Sequence, residues 1–515
     1  MPDLTERLVE AAATGMTASV WAAQKPGEIA IHDPISVRTF FEVNANANRI
    51  VRLLRGHGVV AGDSIALLCG NRAEFVEVIS ACLRGGYRFT PVNWHLKTEE
   101  AAYVVSDCEA KALFAETRYP SALEIDAPAV TLKVSIGEDA PGFLPYASAI
   151  AGLDGADIDD PAAGGAMLYT SGTTGRPKGV YRRNSTTVLL PGPGEPDDVQ
   201  MCAGPAYHAA PLAFDVRSAL AQGNPLVFLD KWDSEGVLAT IERHRVTRAH
   251  MVPIMFQRLL ALPAEVKAKY DLSSLRFLIH GAAPCPPEVK KAMIDWLGPI
   301  LHEYYAGSEG GVGFLIDSNE WLAKPGTVGR LPAPAAVKLY DEDGAEVTER
   351  NKPGKIYFQV SPIMPFEYYK DPAKTAAAHR DGYFTLGDVG YLDDDDYLFL
   401  TGRTAECIIS GGVNIYPQEI DNEIIKHPAV EDSCAIGVPN PEWGEEVKVV
   451  VTLNPGRAPG DALAAEILAF ARDRLAAFKA PRTLDFAETL PRNPAGKIER
   501  GKVRAPYWAG RARQI

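Results

Sequence analysis

The chain has 515 residues, 46% of them hydrophobic, and 52 Lys and Arg against 66 Asp and Glu give a formal net charge of −14. This length exceeds one ordinary core and predicts two or more domains, and the acidic balance excludes nucleic acid as a partner, because such binding rests on a positive surface. The start Met1-Pro2-Asp3-Leu4-Thr5-Glu6-Arg7 lacks a basic region followed by an apolar core, and no stretch of about 18 uninterrupted apolar residues occurs, so neither export nor a membrane span is expected.

Loose association with a membrane surface stays open. Seven cysteines (Cys69, Cys82, Cys108, Cys202, Cys285, Cys407, Cys434) are odd in number and lack CxxC spacing. They predict reduced, buried thiols and a cytoplasmic setting rather than a disulfide frame or a zinc site.

From Val37 to about Lys231, β-rich runs such as Ser64-Ile65-Ala66-Leu67-Leu68 alternate with helical patterns such as the one from Phe75 to Arg84, which predicts α/β layers. Within this stretch lies Tyr169-Thr170-Ser171-Gly172-Thr173-Thr174-Gly175-Arg176-Pro177-Lys178-Gly179. Glycines let backbone N–H groups turn toward an anion, the hydroxyls add donors without bulk, and Lys178 adds charge, so the segment reads as a triphosphate-holding loop. A solvated Gly/Ser/Thr linker is the plain alternative. The apolar runs Ala166-Met167-Leu168-Tyr169 before it and Gly179-Val180 after it speak instead for a strand leading into a constrained turn. A Walker loop is excluded, because Lys178 follows Pro177 and precedes Gly179 instead of standing in a Gly-Lys-Ser/Thr ending.

Further on, Leu238 to His244 reads as a helix, and Arg276-Phe277-Leu278-Ile279-His280-Gly281 as a strand ending at a glycine, where such sheets usually place a ligand. Between about Lys324 and Leu400, Gly- and Pro-punctuated strands such as Lys355-Ile356-Tyr357-Phe358-Gln359-Val360 predict a small β-rich subdomain. The run Asp393-Asp394-Asp395-Asp396 could suggest a cation cluster, but its apolar flanks make it the tip of a hairpin with its acids in solvent. The segment from Thr404 to Ile515 is long enough for a separate α+β domain, with helices expected near Pro417–Lys426 and Ala462–Leu475.

Four downstream segments join the loop at 169–179 in a known order. They are Tyr304-Tyr305-Ala306-Gly307-Ser308-Glu309, Tyr383-Phe384-Thr385-Leu386-Gly387-Asp388, Leu400-Thr401-Gly402-Arg403, and Pro491-Arg492-Asn493-Pro494-Ala495-Gly496-Lys497-Ile498-Glu499-Arg500. Together they resemble the signature motifs of the adenylate-forming superfamily, which holds acyl-CoA synthetases, luciferases and the adenylation domains of peptide synthetases. The resemblance covers essentially the whole chain. It implies an α/β fold with a large multi-layer N-terminal domain, 1–403, of α/β subdomains plus a small β-rich one, carrying the ATP and acyl sites. A small mobile α+β C-terminal domain, 404–515, would carry the catalytic lysine and the face of a CoA tunnel.

The chemistry follows from the carboxylate, a poor acyl donor until its oxide leaving group is replaced by AMP. Catalysis is then mostly alignment and charge neutralisation. By resemblance Lys497 is the adenylation lysine, reaching both the substrate carboxylate and the α-phosphate. In isolation it would be a surface lysine. Thr170, Ser171, Gly172, Thr173, Thr174, Gly175 and Lys178 would hold phosphates, with Ser308 also on the ATP side. Glu309, with Thr170 as a second contact, would hold Mg2+. Asp388 offers acceptors to a ribose diol and Arg403 donors to ribose or phosphate, the alternative being a structural Asp–Arg pair. A purine would lie on Gly281, Ala282 and Ala283, with Tyr305 as its ring partner.

His208, a core or surface histidine if read alone, matches an aromatic-His position that lines the acyl pocket and gates the carboxylate. Ala306, Gly307 and Gly311 would share that pocket. Asp215 is not carried over from the amino-acid-activating relatives. Gly411 and Gly412 resemble the glycines lining a pantetheine tunnel, and Trp443 falls in the same subgroup's pattern. The usual hinge position holds Ala405, with Glu406 next to it, so the pivot departs from the family pattern, although movement is still expected.

The implied activity is an AMP-forming carboxylic acid:CoA ligase with ATP, Mg2+ and CoA, and the implied partners are those small molecules. The absence of a carrier or reductase segment after the lysine loop favours a stand-alone ligase. Alternatives are an adenylating enzyme that passes its acyl group to a carrier protein, and a catalytically silent nucleotide- or acyl-binding relative. Small pocket walls favour a hydrophobic acid of fatty, aryl or alicyclic steroid type over acetate. Relatives are commonly monomers or dimers, which leaves a homodimer open.

Overall fold

The computed structural model describes residues 3–170, 177–182, 194–333, 336–341, 343–361, 365–403, 406–410, 413–440, 443–475, 477, 479–494 and 496–509. It divides into two compact units, one made of Met1–Met251, Leu262–Leu278 and Ser361–Ala376, the other of Val252–Ala261, Ile279–Val360 and Ala377–Ile515.

The first unit is α/β, as its sequence rhythm predicts. Among the described residues a six-stranded sheet runs in the order Leu144–Pro145, Leu132–Ile136, Ala110–Glu116, Ser64–Leu68, Arg88–Pro91 and Gly165–Ala166, with every pair parallel. Parallel strands are covered on both faces and so read as unbroken apolar runs, and all five residues of Ser64–Leu68 are buried. The helix Ala73–Gly85 packs among them, its expected core Phe75–Arg84 lying wholly inside. A second series of strands follows the order Val37–Thr39, Ile29–His32, Leu226–Phe228, Gln200–Cys202 and Arg248–Met251. The helix Phe40–Gly56 starts where Thr39 and Glu42 cap each other's backbone N–H groups, which satisfies two orphan donors. The expected helix at 238–244 is part of Ser234–His244.

The second unit contains the antiparallel pair Leu301–Gly307 and Gly310–Asp317 and a β-rich layer that includes Thr327–Arg330, Tyr397–Arg403, Asp388–Leu392 and Gly354–Gln359. The four-aspartate run is indeed the tip between Asp388–Leu392 and Tyr397–Arg403. Its acids are not all left to solvent, however. Asp393 accepts from Lys324 Nζ at 2.8 Å and from the backbone N–H groups of Asp395 and Tyr397. A lysine arriving from 69 residues away is invisible to local pattern.

In the C-terminal segment Val413–Ile415, Ile408–Ser410, Gly444–Leu453 and Val430–Asn440 are neighbours in order, with Thr483–Phe486 parallel to Gly444–Leu453. The expected helices appear as Pro417–Ile424 and Asp461–Arg472. Ile408, Ile420, Ile424, Val449, Ile467 and Ala471 belong to a core made of this segment alone. All seven cysteines are free, and all but the half-buried Cys285 are buried. Among the described residues no helix is long and apolar enough to cross a membrane.

Candidate active site

In the first unit the phosphate-loop motif sits on an antiparallel hairpin. Leu168–Thr170 pairs with Lys178–Tyr181, and Thr170 stands opposite Lys178. The two ends of the loop are therefore fixed side by side. Ser171, Gly172, Thr173, Thr174 and Gly175 lie outside the described residues. Lys178 Nζ rests 5.4 Å from the centre of the Tyr368 ring, and Tyr169 donates its hydroxyl to Asp107 at 2.5 Å.

His208 follows the strand Gln200–Cys202 on a loop that Asn71 pins. Asn71 donates to the carbonyls of Gly204 and Leu229, both at 2.9 Å, and accepts from Ala206 N at 2.9 Å. Tyr207 is buried, and its hydroxyl lies 3.0 Å from His95 Nδ1. The His208 ring lies 4.4 Å from that of Tyr207, while Trp94 stacks on His95 at 3.5 Å and on Tyr119 at 4.7 Å. Burial, with His95 adding to it, pushes the His208 imidazole down to about 4. Its Nε2 is shut off from solvent and has no hydrogen-bond partner among the described residues. A neutral imidazole with an unspent nitrogen suits contact with a carboxylic acid or its adenylate.

From His208 the chain enters a π-helix, Pro211–Arg217. Asp215 inside it is wholly buried, and its Oδ1 accepts from Gln200 Nε2 at 2.8 Å and His250 N at 3.0 Å. Burial pushes its carboxyl well up, and its bonds to Gln200 and His250 tie the helix to the neighbouring strands.

In the second unit, Gly281 follows the strand Phe277–His280 at a point where a Cβ would come within 2.6 Å of the Tyr304 ring and 2.7 Å of its carbonyl oxygen. Ala282 holds φ 65, a left-handed conformation that a Cβ disfavours and that marks functional segments. The aromatic ring against Gly281 is thus that of Tyr304. Tyr305, expected as the purine partner, is 8% exposed, packs against Phe314 and Phe358, and donates to Asp388 Oδ2 at 2.8 Å. That bond occupies one oxygen of the ribose candidate Asp388, which stands in register with Arg403 across the sheet. Side chains alternate along a strand, so two adjacent tyrosines must face opposite ways.

Ser308 and Glu309 form the turn between Leu301–Gly307 and Gly310–Asp317, and Glu309 Oε2 bends back to 3.1 Å from where a Cβ of Gly307 would stand. Ala306 and Gly311 are exposed on this same hairpin. Among the described residues no cluster of three or more metal-ligand side chains occurs. One carboxylate still fits Mg2+, which takes one or two protein carboxylates and completes its shell with water and substrate phosphates. The strand Leu301–Gly307 is braced by the fully buried Lys290, whose Nζ donates to Glu303 Oε2 at 2.7 Å.

Lys497 lies on a small hairpin that fixes its backbone on both sides. Lys497 N donates to Asn493 Oδ1 at 2.9 Å, and Asn493 N donates to Lys497 O at 2.8 Å. Arg492 donates to Gly496 O and to Asp432. Gly496 has φ 78, and a Cβ there would meet Ile254 Cγ2 at 2.5 Å, so both backbone and space call for glycine. Next to the lysine loop, Arg500 is buried and donates to Asp421 Oδ2 at 2.9 Å and to Glu406 Oε2 at 3.4 Å, which links the hinge candidate to the helix Arg500–Arg504. Ala405, Gly411 and Gly412 lie outside the described residues. Ser410 and Val413 pair on either side of the two glycines, and Trp443 lies under the Arg482 guanidinium at 3.8 Å.

The structure therefore brings together Thr170 with Lys178, Asp388 with Tyr305, and Glu309 with Gly307. Pattern reading assigned no role to Asn71, Trp94, His95 or Tyr304, which the structure sets beside candidate residues. The run Asn93-Trp94-His95 directly after the strand Arg88–Pro91 was the available signal, because ligands gather at the carboxyl ends of parallel strands.

Residues 19–368 match the family model for AMP-binding enzymes, and residues 419–497 match that for the AMP-binding enzyme C-terminal domain. A feruloyl-CoA synthase from Amycolatopsis sp is 34% identical over 499 residues, covering 94% of this chain and 97% of its own. The long-chain-fatty-acid–CoA ligase FadD13 of Mycobacterium tuberculosis is 32% identical over 489 residues, covering 92% of this chain and 93% of its own. The solved amide bond synthetase McbA from Marinactinospora thermotolerans superposes with a TM-score of 0.81 at 25% identity, covering 95% of this chain and 99% of its own.

Proposed function

The chain belongs to the AMP-binding enzyme family, and on that premise we propose that it activates an apolar, extended or ring-bearing carboxylic acid as its acyl adenylate and passes the acyl group to CoA. The coarser statement stands without the acid's identity: this is an adenylate-forming enzyme of the acyl-CoA ligase type. The observation that carries the reading within the molecule is the Lys497 hairpin, held by Asn493 and Arg492 so that one cation is set on a fixed backbone.

In the first half-reaction the substrate carboxylate attacks the α-phosphate of ATP and pyrophosphate leaves. Lys497 steadies the charge that develops between carboxylate and α-phosphate, and Lys178 with the Thr170 end of its hairpin holds the outgoing phosphates. Mg2+ bound through Glu309 would supply further neutralisation of the triphosphate. Asp388, beside its bond from Tyr305, orients the ribose, and the neutral His208 meets the acyl carboxylate.

In the second half-reaction the CoA thiolate attacks the acyl carbon and AMP leaves, with Gly411, Gly412 and Trp443 along the thiol's approach. The separate family matches, 19–368 and 419–497, support two parts with a boundary between them, which the reading sets at 1–403 and 404–515 with Ala405 and Glu406 as the hinge. Free cysteines support a reducing, cytoplasmic setting.

The test is AMP and pyrophosphate release from ATP and Mg2+ over a panel of carboxylic acids, each with and without CoA, with products identified by mass. Acid-dependent AMP that rises with CoA and yields a thioester is the expected result. Adenylate formation indifferent to CoA would move the acceptor to a carrier protein, and turnover with none of the acids would overturn the ligase reading.

A further inference from the structure

The hairpin of Leu168–Thr170 and Lys178–Tyr181 belongs to a sheet of its own, which Glu367–Tyr368 completes as the third strand. The chain enters it from the six-stranded sheet at Met167, whose N donates to Phe89 O at 2.9 Å, and among the described residues no strand pairing joins the two sheets. Side chains must therefore help to set where Thr170 and Lys178 stand.

Each strand, or the residue next to it, sends one tyrosine to the same corner, the turn between the helix Thr98–Asp107 and the strand Ala110–Glu116. Tyr169 donates its hydroxyl to Asp107 Oδ2 at 2.5 Å, and Tyr369 donates to Glu109 Oε2 at 2.6 Å. Tyr181 and Tyr369 flank the Arg88 guanidinium at 5.2 and 5.1 Å, and Arg88 donates to Cys108 O at 3.1 Å. Lys370 donates to Asp107 O at 2.8 Å and meets Glu109 at 3.3 Å. Glu109 and Lys370 both hold φ 58, a left-handed conformation that costs a non-glycine residue energy and persists where the surroundings over-determine it.

Two of these tyrosines also close on the residue after Lys178. Gly179 stands opposite Tyr169, and a Cβ on it would come within 3.2 Å of both the Tyr169 ring and Tyr369 Cβ, while Tyr369 N donates to Gly179 O at 2.8 Å. A shift of either tyrosine is thus felt at Lys178 and at Thr170, its partner across the hairpin. The single proton of each hydroxyl is already spent on a carboxylate, so these tyrosines act on a phosphate through the hairpin and not by donating to it.

We propose that Tyr169 and Tyr369, fixed by Asp107 and Glu109, are positioning residues for the first half-reaction, holding Thr170 and Lys178 where the departing pyrophosphate needs them. This rests on the ligase reading and adds to it a brace outside the phosphate-contacting set.

The experiment follows the two half-reactions separately: pyrophosphate release from ATP and the best acid of the panel, and thioester formation from supplied adenylate and CoA. It compares the wild type with Tyr169→Phe, Tyr369→Phe, Asp107→Ala and the double variant Tyr169→Phe/Asp107→Ala. Tyr169→Phe should lower kcat/KM for ATP about tenfold, the scale of one lost hydrogen bond to a carboxylate. KM for the acid and the rate of thioester formation, which involves no pyrophosphate, should stay within about twofold. Asp107→Ala should reproduce this split, and the double variant should be no worse than either single one, because the same bond is lost in each. Tyr369→Phe, whose bond is exposed, should show the split at about threefold, and it carries the test should Tyr169→Phe fold poorly. Equal losses in both half-reactions would reduce the tyrosines to a general structural role and overturn the proposal, as would an unchanged kcat/KM for ATP in both Phe variants. AMP from no acid in the wild type would instead sink the ligase reading, and the brace's role with it.

Discussion

At the scale of single residues, His208 carries a testable electrostatic signature. Its imidazole is held at about 4 by burial and by His95, against about 6.5 in an unfolded chain. Between those values the unfolded chain binds the extra proton, so this residue's contribution to stability is present above pH 6.5 and is lost as pH falls toward 4. His208→Gln should therefore close its Tm gap to the wild type as pH drops through that window, measured by thermal denaturation of both proteins. Arg500 makes a second case. Arg500→Met leaves Asp421 buried without its cation and should cost about 3–5 kcal/mol in denaturant unfolding. Lys497, Glu309 and Asp388 could be picked out in the sequence because each sits inside a short local motif. Asn71 could not, because it meets Ala206 across 135 residues, and no local spacing encodes such a meeting.

At the scale of elements, the buried parallel strands were legible from their apolar runs, and the helices near 417 and 461 from their periodicity. The π-helix was not. Pro211-Leu212-Ala213-Phe214-Asp215-Val216-Arg217 has the composition of an ordinary helical turn, and what widens it is an anchor in tertiary structure, Asp215 held by Gln200 and His250. The strand end at Gly281 gives the next prediction. Gly281→Ala forces a Cβ into Tyr304 and should destabilise by about 1–3 kcal/mol, with weaker ATP binding read by calorimetry. For the lysine hairpin, Arg492→Ala removes the clamp on Gly496 O and should slow adenylate formation more than thioester formation from supplied adenylate, compared in separate half-reaction assays.

At the scale of the whole molecule, two half-reactions share one chain, and Lys497→Ala should separate them. Acyl-adenylate formation should be abolished while thioester formation from supplied adenylate is largely kept; equal loss of both, measured by mass, would refute the role given to Lys497. The alternation of α/β layers and the order of motifs made the general architecture readable in advance, whereas the acid to be activated depends on side chains gathered from distant segments. The buried cysteines have a chemical consequence of their own. A mixed anhydride acylates any thiolate it reaches, yet burial pushes up the thiols of Cys69, Cys82, Cys108, Cys202, Cys285 and Cys434, so that these six offer almost none near neutral pH. These six thiols are thereby guarded against acylation by the protein's own intermediate, and a thiol reagent should label them slowly in the native protein and rapidly once it unfolds.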